Sequence, residues 1–369
     1  FNTSQKSLHV SFVGWGAQDY QDRVLAQLQA SGIDADVITL IPNQAARLVQ
    51  LGALSPIEDV IAKVGVHPSP SHNYITKDGH LYGISIVEVA FGLLYNKKLF
   101  DAAGISEPAA DPDQWADQAE KLTRKPDQFG LWQPNLMSEQ FSWWFFLQNF
   151  GLAYDGIWAQ GQTPMLTSQP IIKALTLWRR LYGSAMAQGS NDAAAARLFA
   201  DGRIAQELVV SAGVNVIKST GPAVYPDLRS TAAPWASKKE ISRLHPLSVV
   251  KTSKNQDAAK TFVEFMVQPN NMAELMIKGL DVVPPYPEVT QVPAYQDFIK
   301  SLSWSSGFLD IKPVSLLDVE GDFVFHDTEF GNVVLTNFQK ALLGQTSIDQ
   351  AMADAQKEAE DLASRVFSE

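Results

Sequence analysis

The 369-residue sequence contains no cysteine at all. Disulfides, thiolate metal sites and a cysteine nucleophile are therefore excluded, and no cysteine is offered for lipid attachment. Basic residues are few. Lysine and arginine number 29 against 40 aspartates and glutamates, which leaves a net charge of −11. No run of four basic residues occurs. That balance argues against nucleic acid or an anionic membrane surface as a partner. Long apolar runs are missing as well. The longest worth testing, Ile84–Tyr95, is interrupted by Glu88 and falls well short of the roughly 20 residues that a bilayer-spanning helix needs. Phe1-Asn2-Thr3-Ser4 has neither a basic n-region nor an apolar h-region, so an exported form of this chain is expected to be a trimmed one.

What is present is ordinary globular material: 46% hydrophobic and 19% charged residues, in a chain long enough for two domains with cores of their own. Leu8–Trp15 alternates as a strand does, and Tyr20, Val24 and Leu28 follow at helical spacing. Asp36–Ile41 reads as a short buried strand and Ala45–Leu51 as a helix stopped by Gly52. Ser69–Asn73, between prolines, reads as loop, and Leu81–Ile86 as strand. Asp111 and Pro112 signal a helix start, with Trp115, Ala119 and Leu122 as its inward stripe. Further helices are expected at Gln140–Phe150, Pro170–Tyr182 and Ala193–Phe199, and a returning strand at Ser248–Lys251. Ser253 with Gln256, and Ser347 with Gln350, each read as a capping box opening a late helix. Strand–helix alternation that returns late in the chain favours two α/β lobes joined by several crossings.

Catalytic signatures are absent. Gly14-Trp15-Gly16 sits where a dinucleotide fingerprint would, yet Asp19 holds the third glycine place, where it would block helix packing and repel pyrophosphate. No phosphate-binding GxxxxGK[ST], GxSxG elbow or HExxH occurs. His67 and His72 are close in sequence, but the proline-rich loop between them fixes no metal geometry, and they read as solvated loop histidines. No metal and no cofactor are expected. The positive signal is aromatic. Trp143 and Trp144 lie in a Phe-Ser-Trp-Trp-Phe-Phe run, and Trp15, Trp132, Trp158 and Trp235 fall near loops or element ends. Such planes stack on the C–H faces of sugar rings, although buried helices also look like this. Helical neighbours diverge by about 100°, so one of the adjacent tryptophans can pack while the other lines a surface.

Several blocks taken together carry a resemblance. Asp78–Lys98 (DGHLYGISIVEVAFGLLYNK) is followed by Leu99-Phe100-Asp101-Ala-Ala-Gly104. With these stand Asp36-Val37-Ile38, Leu51-Gly52-Ala53-Leu54, Trp115, Phe199–Ala205 and Leu342–Gln345 with Ala351. In this order and spacing they resemble the extracellular solute-binding proteins of carbohydrate ABC importers, the group that includes maltose-binding protein. The resemblance implies an α/β, two-lobed periplasmic-binding-protein fold with hinge crossings and a central ligand cleft. It implies lobes at 1–87 with 248–305 and at 88–247 with 306–369, crossed near 86–90, 246–251 and 305–312. It also implies a small first-lobe sheet, because the family opens with a strand ahead of a segment like Phe1–Val10. The implied protein is a monomeric receptor outside the cytoplasm, delivering a sugar or polyol to a membrane permease. Nothing is done chemically to the ligand.

Carried over position by position, the implied ligand residues are Glu88, at a hinge edge, with Asn43 and Gln44 after the DVI strand. Trp15, Gln18 and Tyr20 follow the first strand. Glu139 and Trp143 belong to the second lobe, as do Ser211 and Gly213, where Val214 replaces the family's usual tryptophan. Glu329 and Phe330 complete the set. Two other readings stand beside this one. A glycerol-phosphate or sugar-phosphate receptor would call for an arginine in the cleft. A polysaccharide hydrolase would call for a carboxylate pair at catalytic separation.

Overall fold

A computed structural model describes residues 1–14, 23–24, 26–28, 32–189, 192–279 and 281–368. The principal strands are β1 (Val37–Thr39), β2 (Leu54–Ser55), β3 (Ile84–Val89), β4 (Phe91–Asn96), β5 (Gln206–Val210), β6 (Leu228–Ala232), β7 (Lys239–Val250) and β8 (Lys312–Ser315). Helices through the middle of the chain are α1 (Pro42–Gln50), α2 (Glu58–Val64), α3 (Lys97–Ala102), α4 (Pro112–Lys121), α5 (Gln169–Ser184), α6 (Asp192–Ala200) and α7 (Gly213–Thr220). The later ones are α8 (Gln256–Met266), α9 (Pro269–Gly279), α10 (Pro293–Ser301), α11 (Asp327–Leu342) and α12 (Ile348–Val366).

The chain divides into two compact units. The first comprises Phe1–Glu88, Arg243–Lys278 and Pro284–Asp297; the second comprises Val89–Ser242, Gly279–Val283 and Phe298–Glu369. In the first unit, β1 and β2 both run antiparallel to β7, pairing Val37–Thr39 with Leu247–Val249 and Leu54–Ser55 with Val249–Val250. Helix α1 buries Ala45, Ala46, Leu48 and Val49, and Gly52 takes the left-handed conformation (φ +63°) just beyond it, as an αL helix ending requires. Helices α2 and α8 are cross-linked by Lys63–Glu264 (2.6 Å) and Lys260–Asp59 (2.8 Å). Both pairs are solvent-exposed, and such pairs add only about 0–1 kcal/mol each; burial of Val60, Ala259 and Val263 holds this layer.

In the second unit, β4 is the centre of an antiparallel sheet ordered β6–β4–β5. Asp111 caps α4 by accepting from the Gln114 amide, with Pro112 in the first turn. Trp115, Ala119 and Leu122 are fully buried, and Trp115 Nε1 donates to Gln206 Oε1 (3.2 Å). Gly307 approaches β6 so closely that a Cβ would lie 2.3 Å from the Thr231 nitrogen. Helix α12 buries Ile348, Met352, Ala355, Ala359 and Leu362.

Several expectations need correcting. Residues 8–14 form no strand; alternation needs a partner edge, and Phe12 and Val13 are exposed instead. Of the helix expected around Tyr20, Val24 and Leu28, the described residues 23–24 and 26–28 are helical, and Tyr20 lies outside the described residues. The prolines around 69–73 introduce a 3-10 helix, Pro70–Ile75, and not a plain loop. Helix α8 begins at Gln256, because Ser253 Oγ donates to Asp36 (2.6 Å) and accepts from the Asn255 amide (2.9 Å). The Gln256 side chain donates to the carbonyls of Val250, Lys251 and Ser253. At α12 only half of the capping box forms: Ser347 accepts from the Gln350 amide, while the Gln350 side chain turns to Asp354.

Candidate functional site

The first unit gathers three of the proposed ligand residues on two elements. Pro42 opens α1 after Ile41, which provides no side-chain cap, and the first turn carries no acid. Asn43 Oδ1 accepts from the Gln44 amide (2.9 Å). Gln44 is only 8% exposed, and neither atom of its side-chain amide has a hydrogen-bond partner among the described residues. A buried, unsatisfied amide is costly, by about 1–3 kcal/mol. It marks a place where a ligand hydroxyl or a water would complete the bonding.

Glu88 is the penultimate residue of β3 and is 3% exposed, so it is not a solvated charge. Buried with it in the same unit are Tyr74 and Arg243. The Tyr74 hydroxyl donates to the Leu244 carbonyl (3.2 Å) and accepts from the Leu244 amide (3.1 Å). Burial above all raises the Tyr74 phenol; the Leu244 bond opposes this, the negative Glu88 reinforces it and Arg243 opposes it. Of the two histidines expected to be solvated loop residues, His67 is one and His72 is not. His67 is exposed and pairs with Glu288 (2.5 Å). His72, 3% exposed, accepts the Ser85 amide at Nε2 (3.1 Å), with Nδ1 3.0 Å from the Ser69 carbonyl. An acceptor Nε2 requires a neutral ring protonated at Nδ1, and burial accordingly lowers the His72 pKa to about 4. Trp15, Gln18 and Tyr20 lie outside the described residues.

In the second unit, four candidates converge. The helical segment 140–150 includes a π-helical turn, Trp143–Leu147, in which the Gln148 amide bonds back to the Trp143 carbonyl. Five residues along an α-helix would be rotated by about 140°, whereas an i→i+5 turn brings them onto one face. Trp143 Nε1 (2.9 Å) and Gln148 Nε2 (2.8 Å) both donate to Asp327 Oδ1, and Gln148 Nε2 also reaches Glu320 (2.8 Å). Trp143 packs edge-on against Phe330 (5.8 Å) and Trp158 (5.0 Å), and Trp143 and Phe330 are fully buried. Gln140 ties the same segment to Thr328 and Asn332 at the start of α11. Glu139 and Glu329 are exposed at the two element ends so joined. Trp144, next to Trp143, is only half-buried; the sequence signal for it was the adjacent pair, with the inward and outward roles the reverse of those assigned.

Ser211 and Gly213 sit at the turn between β5 and α7. Ser211 is buried, its hydroxyl donates to Asp281, and it accepts from the Val282 amide (3.2 Å). Its single proton is therefore committed within the fold. Val214 is fully buried in an apolar cluster with Trp132, Trp304 and Phe308. A surface cavity of about 350 Å³ in the second unit, lined by Tyr154, Asp155, Gln169 and Lys173 among others, contains none of the proposed ligand residues. Among the described residues no group of three or more His, Asp or Glu side chains could hold a metal ion. Among them, too, no helix is long and apolar enough to cross a membrane.

The bacterial extracellular solute-binding protein family matches residues 1–300, and the chain belongs to that family. Its fold is that of the periplasmic binding proteins. The sugar-binding protein MalE from Xanthomonas citri superimposes with a TM-score of 0.82 at 18% identity, covering 100% of this chain and 94% of that one. UgpB from Mycobacterium tuberculosis, solved with glycerophosphocholine, gives 0.81 at 15% identity over 98% and 92% of the two chains. A solute-binding protein from Agrobacterium vitis S4 with bound D-mannitol gives 0.73 at 21% identity over 94% and 88%. Among curated sequences, a binding protein of Brucella abortus (strain 2308) is 23% identical over 256 residues, 65% of this chain. The chain spans about 60% of the length of that relative.

Proposed function

We propose that this protein is the capture component of an ABC importer, binding a sugar or polyol outside the cytoplasm and handing it to a membrane permease. Membership of the extracellular solute-binding family carries this reading. The sugar-binding and mannitol-bound structures of the same fold support the ligand class. The protein acts as a monomer, without nucleic acid, and leaves its ligand chemically unchanged. Asn43, Gln44 and Glu88 are its polar ligand groups in the first unit, with Trp15, Gln18 and Tyr20 beside them in the assignment. Glu139 and Glu329 serve in the second unit, where Trp143 and Phe330 pack behind the element ends that carry them, and Ser211 and Gly213 contribute from the turn between β5 and α7. Gln44 is the most telling of these residues, because its amide has donors and acceptor to spare. A carboxylate such as Glu88 forms strong charge-assisted bonds to hydroxyl donors.

A thermal-shift panel of maltose, mannitol, tagatose and glycerophosphocholine tests the reading. A ligand that binds only the folded state at 100 times its Kd adds about 2.7 kcal/mol of stability, so at least one sugar or polyol is expected to raise the Tm. No shift with any sugar or polyol would remove the ligand class, and hydrolysis of an oligosaccharide would remove the receptor reading. A second reading, a glycerol-phosphate diester or sugar phosphate as ligand, is favoured by the buried Arg243, close enough to Tyr74 to act on it electrostatically, and by the glycerophosphocholine complex of the same fold. A response to glycerophosphocholine alone selects it. Glu88→Gln is expected to weaken binding by about 10- to 150-fold, in line with the loss of one charge-assisted bond of about 1.5–3 kcal/mol, without unfolding the protein. Unchanged affinity in that variant excludes Glu88 from the site.

A further inference from the structure

The chain leaves the first unit after Lys278, contributes only Gly279–Val283 to the second, and returns at Pro284. Within that stretch, Asp281–Val283 are held by two features. Val282 and Val283 are buried in an apolar cluster with Leu94, Phe199, Val214, Ile217, Trp304 and Phe308. Beside them stands one polar node. The Ser211 hydroxyl, at the end of β5, donates to Asp281 Oδ1. It accepts from the Val282 amide (3.2 Å), and the Val283 amide also points at Asp281 Oδ1 (3.4 Å). Asp281 is only 7% exposed, and its named partners are all neutral. Burying a carboxylate without a cation is unfavourable, because desolvation penalises the charged form.

We propose that Asp281 and Ser211 form a pH-sensitive clasp on the Gly279–Val283 passage, closed more tightly when the Asp281 carboxyl is protonated than when it is ionised. The chain crosses between units on both sides of this passage, so the clasp sets how firmly two of its crossings are anchored. Burial raises the Asp281 pKa from 3.8 to about 6, with the Ser211 hydroxyl and the Val283 and Val282 amides pulling it down. Charge on the elements packed around the passage resides on Arg197 of α6, Glu207 of β5, Lys218 of α7, Asp227 beside Tyr225, Arg229 of β6, and Asp297 and Lys300 of α10. Glu274 and Lys278 of α9 pair with each other at 2.5 Å. None of these groups is among the causes of the Asp281 shift. The sign follows from linkage. The closed passage binds the proton more strongly than an opened one, so closure is favoured most below pH 3.8. That advantage is lost as pH rises through about 6. The span between the two values allows up to about a 100-fold change in local opening, tenfold per pKa unit.

Hydrogen exchange of the Val282 and Val283 amides in the whole protein, corrected for intrinsic rates between pH 4.5 and 8, reads this opening directly. Protection is expected to fall as pH rises towards 6 and to level off above it. Asp281→Asn, which keeps the acceptor oxygen and loses the charge, is expected to give pH-independent protection. Ser211→Ala removes the donor that favours the carboxylate, so its midpoint is expected above that of the native protein. Flat protection in the native protein, an unmoved midpoint in Ser211→Ala, or persistent pH dependence in Asp281→Asn would each overturn the clasp. Because no ligand enters the measurement, failure of the sugar reading leaves its outcome intact.

Discussion

His72 shows how one buried ring can set a pH limit. Its Nε2 must stay unprotonated to accept the Ser85 amide, and burial lowers its pKa from 6.5 to about 4. His245 is lowered to about 4 as well, by burial first and by Arg243 second. For a depressed histidine the unfolded chain binds the proton more strongly. Its stabilising effect is therefore complete above pH 6.5 and disappears as pH falls towards 4. Urea denaturation across that window should show falling stability, and His72→Gln, which retains an acceptor, should flatten the slope by one histidine's share. An unchanged slope would mean that His72 does not titrate on unfolding. This trend opposes the one expected for Asp281, which is why the clasp needs a local probe. Trp143 offers a second test at this scale. Trp143→Phe preserves the ring packing against Phe330 and Trp158 but removes one of the donors to Asp327. A loss of about 1–3 kcal/mol is expected in the same denaturation experiment, and a neutral result would show that Gln148 satisfies Asp327 without help.

At the scale of elements, caps separate what local sequence decides from what the fold decides. Asp111 and Ser347 each accept a first-turn amide, Gln114 at 2.9 Å and Gln350 at 3.1 Å. Asp111→Ala and Ser347→Ala should each lower stability by about 1 kcal/mol, measurable as a shift in the urea midpoint without a change in slope. Helices such as α4 and α12 were legible because apolar spacing and an N-terminal cap agree. Strand β7 was legible only at its end, Ser248–Val250. Its earlier part carries buried Glu240, Ser242 and Arg243 and includes Pro246, so neither alternation nor an apolar run announces it. Residues 8–14 fail in the opposite way: they alternate, yet no strand edge receives them. The candidate site divides along the same line. Glu88, Asn43 and Gln44 could be placed from family blocks, whereas the inward turn of Trp143 depends on a π-helical turn that residue types do not encode. The pairing of Ser211 with Asp281, 70 residues apart, leaves no local trace either.

The whole molecule is interleaved, and this has a consequence for how its first unit holds together. That unit is assembled from three stretches of chain. Strands β1 and β2 take their described pairings from Leu247–Val250, and α2 takes its cross-links from Lys260 and Glu264. Each of these contacts spans roughly 200 residues of sequence, so its loop-closure entropy is met only when the later stretch arrives. A two-stranded remnant without its central strand has little independent stability. A fragment ending at Ser242 should therefore leave the amides of residues 37–55 exchanging as in an unfolded chain, while in the whole protein those paired to β7 are protected. Hydrogen exchange with mass spectrometry makes the comparison. Protection of β1 and β2 in the fragment would show that residues 1–88 contain a core sufficient for themselves, and that the returning strand is added to a unit already formed.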